Sequence, residues 1–123
     1  MAKEVIGIEN NKEAIKSAKE NAEANKIRNV NFICGDASTE LDKINDIDVI
    51  IADPPRSGMW DLVYKILDKE PKRLVYVSCN PSTLAKDLKA LSKKYDVRYI
   101  QPIDMFPNTS NVECVVSMVF KSK

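Results

Sequence analysis

The stretch from Arg73 to Leu91, RLVYVSCNPSTLAKDLKAL, decides the fold because it leads from a strand directly into a helix. Its first five residues, RLVYV, are rich in the β-branched and aromatic types that favour a strand. Asn80 is a preferred helix N-cap, and Pro81 suits the first helical position because it has no amide proton to leave unpaired. Leucines then recur at helical spacing, as Leu84, Leu88 and Leu91.

The same alternation of strand and helix extends outward from this stretch. Apolar runs over 5–8, 30–34 and 47–51 predict strands; helical spacing follows the first and third runs, and Asn10 or Asn11 can cap the first helix. Two β-rich runs, 97–103 and 112–120, close the chain with turn residues at 107–111 between them and no helix. This order predicts an α/β fold with a mostly parallel sheet, buried strands at 5–8 and 47–51, and one antiparallel strand at the C-terminal end.

The composition is that of an ordinary soluble globular chain. Its 123 residues suffice for one compact domain, and 44% are hydrophobic while 30% are charged. The 19 basic and 18 acidic residues leave a net charge of +1, whereas nucleic-acid-binding domains are usually strongly basic. We therefore expect any RNA contact to come from a local patch or from another domain.

Several functional classes are excluded by what the sequence lacks. No apolar run approaches the roughly 20 residues of a membrane span, and the start MAKEVIGIE does not resemble a signal peptide. Three cysteines without a CxxC pair, in a chain with no histidine, argue against a zinc site. We expect a cytoplasmic protein with free thiols, no metal and no membrane contact.

Chemically useful side chains follow the predicted strands. In open parallel sheets, ligands bind beyond the carboxyl ends of the strands, and the residues found there are Glu9, Asp36, Asp53 and Cys79. One acidic residue at a strand end is usually part of a solvated turn, but three in succession followed by a cysteine form a pattern. A carboxylate such as that of Glu9 suits the two hydroxyls of a ribose, and Asp36 could meet an adenine edge.

The segment ADPPRSG, residues 52–58, is more specific than a single acid. Two prolines fix the backbone directly after a predicted strand, so the carboxylate of Asp53 is held rigidly. The alternative interpretation is an ordinary proline-containing turn before a helix. The segment taken alone leaves both open.

Two further residues are candidates for covalent and proton-transfer chemistry. Cys79 precedes a helix start, where the helix dipole and free amides stabilise a thiolate, although a lone cysteine is more often a small buried apolar residue. Cys34 and Cys114 have no helix start beside them and are interpreted as structural strand residues. Glu113 leads into the last strand as either a solvated end residue or a placed base, and spacing alone does not decide.

Taken together, these motifs resemble the RNA uracil-5-methyltransferases, which make 5-methyluridine in tRNA and rRNA. The resemblance rests on GIEN, GDA, ADPPRSG, VSCNPSTLAKDL and DMFPNTSNVECV, which together span nearly the whole chain. It implies a Rossmann-like class I methyltransferase sheet and S-adenosylmethionine as the cofactor. It also implies that Cys79 is the nucleophile and Glu113 the general base, with Glu9, Asp36 and Asp53 around the cofactor.

The chain departs from the pattern of this family in two ways. Asn111 stands where the family usually has histidine, and the three glycines, Gly7, Gly35 and Gly58, cannot form a GxGxG loop. We therefore expect residues 1–123 to be a partial catalytic domain that lacks the first strand of the fold and its glycine-rich loop. A missing central strand predicts that the strands at 5–8 and 47–51 pair with each other, or that the chain self-associates through them.

Two other functions remain open at this point. One is a non-catalytic fragment that binds RNA or a partner chain, and the other is a class I methyltransferase that acts on DNA or a small molecule. The combination of Cys79 and Glu113 fits the second alternative poorly. The sequence does not say which RNA or which uridine would be modified.

Overall fold

The computed structural model describes residues 2–103 and 113–121 and divides the chain into two compact units, Met1–Ile44 and Asn45–Lys123. The elements of the first unit are β1 (Val5–Glu9), α1 (Lys12–Ala24), β2 (Val30–Cys34) and α2 (Ala37–Leu41). Those of the second are β3 (Val49–Ala52), α3 (Asp61–Lys69), β4 (Arg73–Ser78), α4 (Pro81–Leu91), β5 (Tyr95–Ile103) and β6 (Glu113–Phe120).

The first unit is a parallel pair of strands joined by helix α1. β1 and β2 pair in register from Val5 opposite Val30 to Glu9 opposite Cys34. Helix α1 begins after Asn11, whose side-chain oxygen accepts a hydrogen bond from the amide of Ala14 at 3.1 Å. Of the two asparagines that the sequence offered, Asn11 is thus the N-cap.

The second unit is a four-stranded sheet in the order β3-β4-β6-β5. β3 and β4 are parallel, and β6 runs antiparallel to both β4 and β5. This arrangement confirms the predicted α/β fold with an antiparallel strand at its end. Its core includes fully buried side chains from both central strands and both helices: Ile66, Leu74, Tyr76, Leu91, Val116 and Met118.

The prediction that β1 and β3 are buried strands is wrong. Val5 and Ile6 are 44% and 36% exposed, and Val49 and Ile51 are 50% and 72% exposed. The reason is that β1 pairs only with β2, and β3 pairs only with β4, so each strand keeps an open edge in the described structure. The pairing of these two strands with each other joins residues of different units and stays a prediction.

Two elements differ from the sequence-based predictions, and other predictions fall on residues that the structure does not describe. Helix α2 was not predicted, because five residues are too few to show helical periodicity. β3 covers 49–52 rather than 47–51. The predicted turn at 107–111, the start of the last strand at residue 112 and the substitution at Asn111 lie outside the described residues. Within the described ranges, no helix is long and apolar enough to cross a membrane.

Candidate active site

In the first unit, the two predicted carboxylates lie at the same end of the sheet. Glu9 ends β1 opposite Cys34, and its backbone oxygen accepts a hydrogen bond from Gly35 at 3.0 Å. Its carboxylate is exposed and accepts a hydrogen bond from the amide of Asn11 at 3.2 Å. Asp36 follows β2 by two residues, so parallel pairing brings both acids to one edge, as the sequence predicted.

Asp36 also has a structural role that the sequence did not reveal. Its carboxylate caps helix α2, accepting hydrogen bonds from the amide of Thr39 at 3.2 Å and from its hydroxyl at 3.1 Å. Both bonds go to one oxygen, Oδ2, while a carboxylate has about four acceptor positions. The exposed Asp36 thus keeps acceptor capacity for a ligand while the cap fixes its orientation.

In the second unit, Asp53 begins a tight loop at the carboxyl end of β3. The amide of Gly58 donates to the carbonyl of Pro55 at 2.9 Å, which closes a turn. Gly58 has φ +91°, and a Cβ there would lie 3.0 Å from the Asp87 carboxylate and 3.2 Å from Cβ of Thr83. The loop that carries Asp53 therefore requires glycine at its end, both for the backbone angle and for the close approach to α4.

Cys79 lies between β4 and α4, as the sequence predicted. It is half-buried, its thiol is free, and Asn80 caps α4 by accepting a hydrogen bond from the amide of Ser82 at 3.0 Å. The buried Ser78 hydroxyl accepts from the amide of Asn80 at 3.1 Å and lies 3.0 Å from its carbonyl oxygen. Cys79 is thus held between two residues whose side chains fix the local backbone.

The start of α4 is tied to the Asp53 loop through one carbonyl group. The backbone oxygen of Arg56 accepts hydrogen bonds from the side-chain amide of Asn80 and from the hydroxyl of Thr83, both at 3.0 Å. These two donors belong to α4 and its cap, the elements that follow Cys79. The loop bearing Asp53 and the start of the Cys79 helix are consequently positioned as one piece.

A buried carboxylate, Asp87, completes this connection. Asp87 is 6% exposed, and its Oδ2 accepts hydrogen bonds from the hydroxyl of Tyr76 at 2.6 Å and the amide of Met59 at 3.0 Å. Burial raises the pKa of Tyr76 well above its usual range, and the hydrogen bond and charge of Asp87 and the nearby Cys79 add to the effect. Asp87 thereby joins β4, α4 and the loop before α3.

The sequence contains a signal for the role of Asp87. Leu84, Asp87, Leu88 and Leu91 lie at positions i, i+3, i+4 and i+7 of one helix, so an acid stands in the apolar stripe. A carboxylate on a buried stripe needs hydrogen-bond partners. Its presence there pointed to donors on the facing elements.

Glu113 and Cys79 flank the last paired position between β4 and β6. β4 and β6 pair from Arg73 opposite Val119 to Ser78 opposite Cys114. Cys79 follows Ser78, and Glu113 precedes Cys114 as the first residue of β6, where it pairs with Ile103 of β5. Glu113 is half-buried. Asp53, Cys79 and Glu113 thus lie at the same end of the second sheet.

Among residues 2–103 and 113–121, no group of three or more histidine, cysteine or acidic residues is arranged to hold a metal ion. Cys34 and Cys114 lie in strands as predicted, although Cys34 is exposed rather than buried. The chemistry available at the second sheet is therefore a thiol, two carboxylates and a helix start.

The connection through Asp87 predicts a large loss of stability in Asp87→Ala. The variant leaves the buried hydroxyl of Tyr76 and the amide of Met59 without their acceptor, at about 1–3 kcal/mol each. We expect the free energy of unfolding, measured by urea denaturation, to fall by at least about 2 kcal/mol. Asp68→Ala, on the exposed face of α3, is the matched control, expected to change stability by less than about 0.5 kcal/mol. Equal effects of the two variants would contradict this role of Asp87.

Comparison with known proteins places this arrangement among RNA methyltransferases. Residues 1–121 match the sequence profile of the family described as tRNA (Uracil-5-)-methyltransferase. A Bacteroides thetaiotaomicron protein named uncharacterized RNA methyltransferase is 55% identical over 121 residues, covering 94% of this chain and 27% of that protein. A Listeria monocytogenes protein with the same description is 52% identical over 126 aligned residues, covering 98% of this chain and 28% of that protein.

A solved structure gives the same result at the level of the fold. The crystal structure of Pyrococcus abyssi tRNA (uracil-54, C5)-methyltransferase in complex with S-adenosyl-L-homocysteine matches with a TM-score of 0.82 at 36% identity. The match covers 94% of this chain and 29% of the Pyrococcus chain. The present chain therefore spans only 27% to 29% of the length of each of these three relatives.

Proposed function

Because the chain belongs to the tRNA (uracil-5-)-methyltransferase family, we propose that it carries the catalytic residues of an enzyme that methylates carbon 5 of a uridine in tRNA or rRNA. The observation that supports the proposal is the register of β4 and β6, whose last pair, Ser78 with Cys114, has Cys79 and Glu113 as its next neighbours in the chain. A nucleophile at a helix start and a carboxylate at the same end of the sheet are the two groups that this reaction requires.

We propose S-adenosylmethionine as the methyl donor. The Pyrococcus abyssi relative was crystallised with S-adenosyl-L-homocysteine, the demethylated form of this cofactor. When bound, S-adenosylmethionine supplies its methyl group as an electrophile. In the first unit, the residues that would hold it are Glu9, whose exposed carboxylate can accept both ribose hydroxyls, and Asp36, which can accept from the adenine amino group. In the second unit, Asp53 is the residue that the family resemblance assigns to the cofactor.

In the proposed mechanism, Cys79 activates the base by covalent addition. Carbon 5 of uracil is a poor nucleophile, but addition of the Cys79 thiolate to carbon 6 forms a carbon–sulfur bond and gives an enolate. The enolate makes carbon 5 nucleophilic enough to take up the methyl group. The uridine must be flipped out of its stack for the thiol to reach carbon 6.

Glu113 acts in the second half of the reaction. After methylation, carbon 5 still carries its original proton, and the Glu113 carboxylate removes it. The electron pair left behind restores the double bond between carbons 5 and 6, and the carbon–sulfur bond breaks. Cys79 leaves as a thiolate, so the chain ends the cycle with one proton on Glu113 to return to solvent.

The test of this function is the modification pattern of cellular RNA. RNA from a strain in which the gene for this chain is disrupted should lose 5-methyluridine from at least one tRNA or rRNA position, as measured by nucleoside mass spectrometry and mapped by fragment analysis. Reintroducing the gene should restore it. Unchanged 5-methyluridine, or loss of 5-methylcytidine instead, would rule the proposed reaction out.

A second candidate function is RNA or partner binding without catalysis. The observation that favours it is that the three glycines of the 123 residues form no GxGxG loop. A glycine-rich loop lets the backbone approach the cofactor closely, because glycine has no side chain to block that approach. The two functions differ in whether 5-methyluridine depends on Cys79.

This difference leads to a prediction for the 123-residue chain itself. We expect it to bind S-adenosylmethionine weakly or not at all, because several contacts worth roughly 1 kcal/mol each are lost without the loop, and each 1.4 kcal/mol is about tenfold in affinity. Titration calorimetry checks this.

The exposed apolar edges of β1 and β3 predict self-association, which light scattering measures. Micromolar binding by a monomer would contradict both expectations.

A further inference from the structure

We propose that Trp60, with Lys86 and Lys89 of α4, forms a docking surface for a single-stranded nucleotide that flanks the target uridine. The proposal rests on the proposed function, because it assigns part of the RNA contact to this chain. In it, a base stacks on the indole ring of Trp60, and the two ammonium groups hold the adjoining phosphates.

The first observation is the exposure of Trp60. Its side chain is 65% exposed, whereas Tyr76 and Tyr95 in the same unit are 0% and 1% exposed. Every nucleic-acid base has a π-face that stacks on an indole ring, which is why aromatic side chains on protein surfaces serve as platforms for unpaired bases. Trp60 is thus available for stacking, as is Tyr64 of α3, which is also 65% exposed.

The second observation is the backbone at Trp60. This residue has φ 51° and ψ −124°, a conformation that residues other than glycine rarely adopt. It is also the N-cap of α3, yet its side chain makes no capping hydrogen bond. Glycine would relieve the backbone and cap the helix at least as well. Strain retained at an exposed aromatic residue is expected where the side chain has a binding role.

The third observation is a lysine beside the ring that belongs to a row of lysines along α4. Nζ of Lys86 lies 5.2 Å from the centroid of the Trp60 ring. Lys86 belongs to an exposed stripe that runs along α4 into the turn after it. The stripe carries no acidic residue, and its members, at spacing i, i+4, i+7 and i+11, are Ser82, Lys86, Lys89 and Lys93. The helix rises about 1.5 Å per residue, so Lys86 lies about 8 Å along the axis from Pro81, which follows the Cys79 region.

The surface is fixed relative to Cys79. Trp60 ends the loop whose Arg56 carbonyl accepts hydrogen bonds from Asn80 and Thr83, at the start of α4. Lys86 and Lys89 belong to that same helix. A nucleotide bound by these groups would therefore be held in register with a uridine presented to Cys79.

The lysines favour RNA over a protein partner. Tryptophan is enriched in protein interfaces, but lysine is depleted there, whereas lysine is a common ligand of phosphate. Exposed Asp61 and Asp68 lie on the neighbouring helix α3 and repel phosphates, so the strand is expected to follow α4. Stacking on one ring requires an unpaired base, which selects single-stranded RNA over a duplex.

Trp60 is the single tryptophan of the chain, so its fluorescence reports directly on stacking. Titration with a short uridine-containing oligoribonucleotide at low salt should quench this emission saturably, and the same sequence as a duplex should quench it less. Lys86→Gln and Lys89→Gln should each weaken binding severalfold and lower the slope of log affinity against log salt by about 0.7. The matched control is Lys72→Gln. Lys72 precedes β4 at the end away from Cys79, so this substitution should change neither the RNA affinity nor its salt dependence.

Trp60→Gly separates a binding role from a structural one. Binding of labelled RNA, followed by anisotropy, should weaken by about tenfold or more, because base stacking on an aromatic ring is lost. The thermal midpoint should stay the same or rise, because glycine relieves the backbone and is a good N-cap. A structural tryptophan would give the opposite pattern, with a lowered midpoint and unchanged affinity, and that result would overturn the proposal.

The outcomes also separate this proposal from the proposed function. Equal RNA affinity of the wild type and Trp60→Gly, or no RNA binding at all, overturns the docking surface, even if 5-methyluridine in cells depends on the gene. Quenching that depends on Lys86 and Lys89 supports the surface, even if no 5-methyluridine depends on the gene; the chain would then be the RNA-binding module of the second candidate function.

Discussion

Cells that carry Cys79→Ala in place of the wild-type gene should contain no 5-methyluridine at the position this protein modifies. Loss of a nucleophile removes the covalent step itself, and such losses cost several orders of magnitude in rate. Cys79 is half-buried at the start of α4, with Ser78 and Asn80 fixing the backbone on either side, so alanine leaves the local hydrogen bonds in place. Nucleoside mass spectrometry of the mapped RNA fragment is the measurement.

The matched control for this substitution is Cys34→Ala. Cys34 is an exposed free cysteine at the end of β2 in the other unit, two residues before the Asp36 cap of α2, and it has no proposed part in the covalent step, so its replacement should leave the 5-methyluridine level within about twofold of the wild type. If Cys34→Ala abolished the modification as completely as Cys79→Ala, the effect would not belong to a nucleophile at the α4 start. Full modification in Cys79→Ala would remove the proposed role of Cys79 outright.

Glu113→Gln should stall the reaction after methylation rather than before it. The amide cannot accept the proton from carbon 5, so the carbon–sulfur bond cannot break and the protein remains attached to its RNA. Loss of a general base typically costs about 10²–10⁴-fold in rate, so turnover should fall by that factor while adduct accumulates. The adduct is measured as protein that migrates with RNA under denaturing conditions and is released by ribonuclease.

Glu20→Gln, an exposed glutamate of α1, is the control for the loss of a carboxylate and should turn over like the wild type. A Glu113→Gln variant that also turned over normally would show that Glu113 is a solvated residue at a strand end. A variant that neither turned over nor formed adduct would place Glu113 before the covalent step, contrary to the proposed order.

The parts of the fold that depend on local sequence could be predicted. The cap at Asn80, proline at the first turn and leucines at helical spacing fix the start of α4 within a few residues, and the structure has the helix at Pro81–Leu91. Burial of β1 and β3 could not be predicted in this way, because an apolar strand becomes buried only when neighbours cover both faces and both edges. Ile51 is apolar and yet 72% exposed for that reason.

For the candidate site as well, some residue positions could be predicted from the sequence and others could not. Alternating strands and helices place Glu9, Asp36, Asp53 and Cys79 at strand ends, which follows from connectivity alone. The placement of Glu113 and Cys79 at the same end of the sheet depends on the register between β4 and β6, two strands that are far apart in the sequence. A shift of one residue would turn every side chain of β6 to the other face, and no local pattern specifies that choice on its own.

The Asp87 connection was missed for a different reason. Periodicity recognises apolar residues on a buried helix face, and an acid at that position is passed over as a solvated one. Its partners, Tyr76 on β4 and the amide of Met59, are distant in sequence and become visible only in the folded unit. The same holds for Trp60, since its exposure and its positive φ are properties of the folded loop.

The most direct test of the central claim is covalent trapping on 5-fluorouridine RNA. Fluorine replaces the proton that Glu113 would remove from carbon 5, and a base cannot abstract it. The step assigned to Glu113 is therefore blocked, and the adduct persists. Protein recovered from cells grown with 5-fluorouracil should carry an RNA-derived nucleotide, and mass spectrometry of its peptides should place that nucleotide on Cys79. An adduct on another residue, or one that survives in Cys79→Ala, would contradict the assignment of Cys79 as the nucleophile.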